Sequence, residues 1–443
     1  MNLPCAIRSV HARRVWDSRG RPTVEAEVAL QGGALGRASV PAGASKGARE
    51  ALELRDGGEA FGGLDVQRAV AHVNGEIARA VAGLAADDQA GLDARLVELD
   101  GTPDKGRLGA NATLAVSMAA AHAAAAAHDL PLYRYLGHAE ATLLPLPQIQ
   151  IFGGGAHAGR RVDIQDFMVL CPGAGSFAQA LAWTAEVYRH AGLLMQSRGA
   201  LLGVADEGGW WPAFDSNEQA LETLVAAIER AGFVPGEQVA IALDIAASDF
   251  GRGGRYTLGL ERRELDSDGL IELLLRWCER FPIASIEDPL GEDDAEAFAR
   301  FTRAVGHRLQ VVGDDFLVSS AALVDQAAAA GAANAVLLKP NQRGTLSETL
   351  QCWHAAQAQA YAGIVSARSG ETEDTTIVHL SIGWQVGQLK VGSFARGERM
   401  AKWNEALRIE ERLGPRARFA GAAVLAGHAA AVTAAAKPGE GAA

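Results

Sequence analysis

The second half of the chain repeats one arrangement six times: a short apolar run that ends in a polar residue. "VAIALD" ends at Asp244, "IASIE" at Glu287, "LQVVGD" at Asp314, "AVLLK" at Lys339, "AGIVSAR" at Arg368 and "QLK" at Lys390. The ends are 43, 27, 25, 29 and 22 residues apart, and about 25 residues is what one strand, one helix and two short loops consume. Continuous apolar strands need cover on both faces. A parallel sheet with outer helices supplies it, and a series of this kind closes into a barrel. An open doubly wound sheet is the rival, but no GxGxxG follows an early strand. The barrel predicts one active face at the C-terminal ends of its strands, where three carboxylates, two lysines and an arginine fall together.

Ahead of this series, two apolar segments between Ile7 and Leu30 flank "DSRGRP", with Val24, Ala26, Val28 and Leu30 alternating against Glu25, Glu27 and Ala29. This predicts a hairpin. "SVPAGASKGAREALELRD" reads as a Gly-rich loop entering a helix at about Gly47, and helical text continues through "AVAHVNGEIARAVAGL". Strands followed by helices define a small α+β domain over residues 1–138, before a barrel over 139–430 and a frayed tail over 431–443. The 443 residues, 49% hydrophobic and 21% charged, suffice for one large barrel and a smaller domain. "LAVSMAAAHAAAAAHDL" is mostly Ala with two histidines and a serine, which predicts a closely packed buried helix and no membrane span.

A net charge of −12 sets a repulsive field against nucleic acid and anionic membranes, leaving a small molecule as the expected partner. Cys5, Cys171, Cys278 and Cys352 show no CxxC spacing and read as reduced thiols. "MNLPCAIRSVHARR" lacks the apolar core of a signal peptide, so a cytoplasmic location is expected.

Asp244, Glu287 and Asp314 offer only oxygen ligands, which suits a hard divalent ion such as magnesium. Unneutralised, the three would raise one another's pKa. Lys339 and Lys390 should project into the mouth, where burial and a metal can depress a lysine's pKa until it serves as a base. "SARSG" presents Arg368 and Ser369 for a phosphate or carboxylate. "VPAGASKG" offers Ser45 on a loop that can close over the same anion. "ADEGG" places Asp206 and Glu207 before paired glycines, and "QDF" places Asp166 at the start of an apolar run, as candidate general acids or plain loop acids.

These stretches, with "WDSRGRPTVE", "GRLGANATLAVSMA", "GGGAHAG", "LDIAASDF", "SIEDP", "VGDDFLV", "LLKPNQRGTLSET", "SARSGETEDT" and "RMAKWNEALRIEERLG", resemble enolase over nearly the whole chain. The resemblance implies an α/β protein, an enolase-like TIM-type (β/α) barrel with an N-terminal α+β capping domain. It implies dehydration of 2-phosphoglycerate to phosphoenolpyruvate with two Mg2+ per active site, and a homodimer or higher homo-oligomer. Matched positions imply Asp244, Glu287 and Asp314 as ligands of the first magnesium, Ser45 at the second, and Lys339 as the base. Lys390 matches the second active-site lysine, Arg368 and Ser369 the phosphate-binding pair, and His157 the histidine of a mobile loop. Gln165 and Glu287 are expected on the substrate, and Glu207 as the acid of the leaving-group side.

Two departures from the enolase pattern fall on that side: Asp166 replaces a glutamate, and Ala367 replaces a histidine. Proton abstraction is therefore expected to survive better than hydroxide loss, since a lost general acid costs about two to four orders of magnitude. Lys46, Ala156, Phe152, Trp210 and Pro340 also depart from the pattern. Besides an enolase slowed at its second step, two readings stand. One is a paralogue acting on a related phosphorylated or phosphonate substrate, as in carboxyphosphonoenolpyruvate formation. The other is a non-catalytic enolase-like binding protein, against which the retained lysines and acids argue.

Overall fold

The computed structural model describes residues 4–44 and 46–427; Ser45 and the expected tail lie outside the described residues. The hairpin forms as its alternation dictates. β1 (Ile7–Trp16) and β2 (Pro22–Leu30) pair antiparallel, and β3 (Leu35–Ser39) joins the far side of β2. Val24, Ala26, Val28 and Leu30 are buried, while Glu25 and Glu27 face Arg13 and Arg37 on the neighbouring strands. The apolar face rests on α1 (Ala110–Ala127), the Ala-rich helix, buried along almost its whole length. Small residues permit this contact. A Cβ at Gly36 would lie 2.1 Å from the Ala119 carbonyl oxygen, so strand and helix backbones touch with no room for a side chain between them.

The helix expected from about Gly47 is absent. Residues 47–59 run irregularly because their amides bond outward: Ala51 N donates to Gln342 O at 2.8 Å, Leu52 N to Asp104 O at 2.7 Å and Leu54 N to Asn111 Oδ1 at 3.1 Å. A helix would forfeit all three, and tertiary partners outweigh local propensity.

Eight strands form the barrel: β4 (Leu146–Gly153), β5 (Asp166–Leu170), β6 (Ala240–Asp244), β7 (Ile283–Glu287), β8 (Gln310–Gly313), β9 (Ala335–Leu338), β10 (Ala362–Ser366) and β11 (Gln388–Gly392). β11 pairs back onto β4 and closes it. The sheet is mixed, where an all-parallel one was expected, because β5 runs antiparallel to both β4 and β6. Residues 154–165 join β4 to β5 with one short 3-10 turn, too little for the helical crossover a parallel pair uses.

Helices clothe the outside. α2 (Ser267–Arg280) buries Leu270, Leu274, Trp277 and Cys278 along one stripe, and the Asp266 side chain caps its start by accepting from Gly269 N. Truncating a fully buried tryptophan such as Trp277 to alanine costs about 3–5 kcal/mol. Inside the barrel, strand alternation sends Gln388 toward Gln148 and Gln310 while Leu389 and Val391 join the outer core. No helix among the described residues is long and apolar enough to cross a membrane.

Candidate active site

Strand register sets three acids side by side. Asp166 lies opposite Asp244, and Asp244 opposite Glu287. Asp166 begins its strand, but the reversed direction of β5 puts that beginning at the mouth where β6 and β7 end. Asp314 and Lys339 come directly after β8 and β9. Lys390 is the third residue of β11 and not its last, as the apolar run suggested; it points inward by the same alternation as Gln388.

Lys390 Nζ lies 2.8 Å from Asp244 Oδ2, 2.9 Å from Glu287 Oε2 and 3.3 Å from Asp166 Oδ2. Burial opposes its charge, yet Asp244, Glu287 and Asp166 hold its pKa well above the ordinary lysine value. Lys339 Nζ pairs with Asp314 Oδ2. A depressed pKa was expected for Lys339, and the balance here is opposite: burial lowers it most, yet Asp314 together with Glu287 leaves it above the ordinary lysine value. The other Asp314 oxygen accepts from Gln342 Nε2 at 2.9 Å.

The donor set fits magnesium. Asp244, Glu287 and Asp314 present hard oxygens, and Glu287 Oε1 is buried with no hydrogen-bond partner among the described residues. Burial, then Asp244, pushes Glu287 well above the usual carboxylate range despite Lys390, so this corner favours additional positive charge. Asp288 and Asp315 also approach Asp314. Asp288 is engaged, accepting the backbone N–H of Asp314 at 2.9 Å and of Asp315 at 2.7 Å.

Arg368 and Ser369 occupy the turn beyond β10. Their carbonyls each accept from the fully buried Arg399 at 2.7 Å, which locks the turn. Arg19 Nη1 donates to Ser369 Oγ at 3.2 Å. The Arg368 guanidinium meets Glu50 at 3.1 Å and Asn341 Oδ1 at 3.0 Å. Ala42 and Gly370 exchange backbone hydrogen bonds of 2.8 and 2.9 Å, tying the loop that carries Ala44 to this turn.

On the side expected to face the leaving group, buried His157 sits between Asp166 and Glu207, with Nδ1 3.6 Å from the first and Nε2 3.8 Å from the second. Burial disfavours its cation, but Glu207 and then Asp166 raise its pKa above the ordinary value. Gln165 Nε2 donates to Asp244 Oδ2 at 2.9 Å. Gln150 donates to Asp166 and accepts from Gly209 N.

His157, Gln165, Asp166, Glu207, Asp244, Lys339, Ala367, Arg368, Ser369 and Lys390 all line one cavity of about 20 Å³. That holds little more than a water, since the charged groups reach each other across it. Among the departures, Asp166 and Ala367 form part of its wall. Phe152 instead packs in the core 5.3 Å from Phe214. Trp210 stacks on Tyr188 at 4.5 Å, where a Cβ at Gly192 would meet its ring at 2.7 Å. Lys46 pairs with Glu53. Sequence reasoning missed Glu50, Arg19, Arg399, Gln150 and Gln342. The signal was present for four of them, which lie inside the quoted motifs, but none ends an apolar run.

Fold and site together define a class: capped β/α-barrel enzymes whose mouth combines a metal-suited acid group, lysines and an anion-binding turn. The family profile described as "Enolase, N-terminal domain" matches residues 7–136, and "Enolase, C-terminal TIM barrel domain" matches residues 141–427. A protein named "Enolase" from Tropheryma whipplei (strain Twist) is 49% identical over 419 residues, covering 94% of this chain and 97% of that relative. The chain belongs to the enolase family.

Proposed function

We propose that the protein is a hydro-lyase that dehydrates 2-phosphoglycerate to phosphoenolpyruvate. The observation that carries this reading is the convergence of Lys339, Lys390, the three acids and the Arg368–Ser369 turn on one barrel mouth, in a chain matched to an enolase along nearly its full length. Family membership implies a divalent metal, magnesium; Asp244, Glu287 and Asp314 would hold it. When bound, magnesium supplies positive charge where the substrate carboxylate gains a second negative charge.

The chain's own groups do the rest. Arg368 and Ser369 hold the phosphate once it replaces Glu50 as partner of the guanidinium. With Asp314 turned from Lys339 toward a bound metal, the pairing that favours the ammonium would be lost, and the neutral Lys339 Nζ would take the proton from C2; Lys390 stabilises the charged carboxylate beside Asp244 and Glu287. The C3–O bond then breaks, and Glu207 delivers the proton that carries the hydroxyl away as water. His157, between Glu207 and Asp166, positions this end, with Gln165 beside it. The Glu207–His157–Asp166 group supports retained dehydration even with alanine at 367.

Two magnesium ions per site, the second on the Ser45 loop, are part of this reading by family resemblance. So are a homodimer or larger homo-oligomer, a cytoplasmic location and a division between the two domains at residues 138 and 139. Incubation with magnesium and 2-phosphoglycerate in deuterated water tests the function by following C2 exchange and enol phosphate together. Both should appear. Exchange without product would instead favour a substrate with a substituted C3 oxygen, which the small wall at Ala367 admits.

A further inference from the structure

Away from the barrel mouth, three metal-binding side chains of different chemistry converge where the start of β1 meets the end of α1. Cys5 lies just before β1, His128 follows the last residue of α1, and Asp87 comes from a loop between them. Their ligand atoms all lie within 4.8 Å of one another. Cys5 Sγ is 3.9 Å from His128 Nε2, and Asp87 Oδ2 is 3.4 Å from the same nitrogen. We propose that Cys5, Asp87 and His128 form a metal site separate from the active site, for a divalent ion of borderline softness such as zinc.

The spacing suits that ion. With zinc–ligand bonds of about 2.0–2.3 Å, neighbouring ligand atoms of a tetrahedron stand about 3.4–3.6 Å apart, close to both observed separations. The direction of approach separates a metal site from a nucleophilic relay. In a Cys–His–Asp relay the carboxylate holds the ring nitrogen remote from the sulfur, whereas here sulfur and carboxylate converge on one nitrogen, as ligands of a shared cation do. A thiolate, an imidazole and a carboxylate together select zinc over magnesium.

The donors are held from behind. Ala86 N donates to Cys5 O at 2.9 Å and His128 N to Ala124 O at 3.1 Å, and the His128 ring stacks on Tyr135 with 19° between the planes. His128 also stands at the C-terminal, negative end of an 18-residue helix, which favours a cation. Asp87 and His128 are exposed, so an ion can enter. Both line a cavity of about 480 Å³ with Tyr135 and His138, which leaves the fourth coordination position to water or a small exogenous ligand.

Cobalt titration of the metal-stripped full-length chain, in saturating magnesium, tests the site. One cobalt per chain should bind with a thiolate-to-cobalt charge-transfer band and intense tetrahedral visible bands, and zinc should displace it. The cavity at the barrel mouth has no cysteine in its lining and cannot produce the thiolate charge-transfer band, so this result is independent of the enolase reading. Cys5→Ser should abolish the band. Asp87→Asn, a change at an exposed position, should weaken cobalt binding by about tenfold or more, and Cys352→Ser should leave both unchanged. Absence of the band in the unaltered protein, or its persistence in Cys5→Ser, would overturn the assignment.

Discussion

The barrel mouth has two halves that treat charge differently. On the proposed metal and base side the three metal-suited acids each have a cation: Asp244 and Glu287 share Lys390, and Asp314 has Lys339. On the leaving-group side, Glu207 and Asp166 lean on a single imidazole at 3.8 and 3.6 Å, beyond hydrogen-bonding distance, and alanine forms part of the wall. The first half is positioned by strands and their immediate ends, so its geometry follows from register. The second draws His157 and Glu207 from loops. Two departures from the family pattern, Asp166 and Ala367, line the cavity on this second side. Asp166 joins the two, lying 3.3 Å from Lys390 as well as beside His157.

This contrast can be broken by experiment. Chelation of magnesium should have the largest effect, abolishing both C2 exchange and product formation, with recovery when the metal is returned. Residual exchange in the metal-free protein would show that the acids do not act through a metal. Lys339→Ala should lower both readouts by about four orders of magnitude, the upper range for a lost general base; a variant that still exchanges C2 would assign the base elsewhere. Glu207→Gln should divide the halves, lowering product by about two to three orders of magnitude while C2 exchange persists. Equal loss in both readouts would place Glu207 in substrate binding. Ala367→His should have the smallest effect, raising the ratio of product to exchange by about tenfold, and further when combined with Asp166→Glu. An unchanged ratio would mean that these positions do not govern hydroxide loss.

Much of the first half was legible in the sequence. Asp244, Glu287, Asp314 and Lys339 each end an apolar run, and a buried parallel strand turns such an end into a position on the barrel mouth. The second half was less so. Asp166 begins its strand, and only the reversal of β5 makes that start part of the mouth. Glu50 sits in text that reads as helix, yet outward amide bonds hold its segment irregular and bring its carboxylate to Arg368. Arg19 belongs to a hairpin turn whose tip reaches Ser369, a contact across 350 residues of chain.

By itself, then, the sequence determined the strand periodicity, the two-part organisation, the enolase family and the residue types available for chemistry, because these depend on local pattern and order along the chain. The tertiary structure alone decided which acids share which lysine, that Asp314 pairs with Lys339 and favours its charged form, that Phe152 and Trp210 turn away from the cavity, and that Cys5, Asp87 and His128 meet. Each of these depends on distances between residues far apart in the chain, and in a buried site those distances set the balance of desolvation against charge pairing.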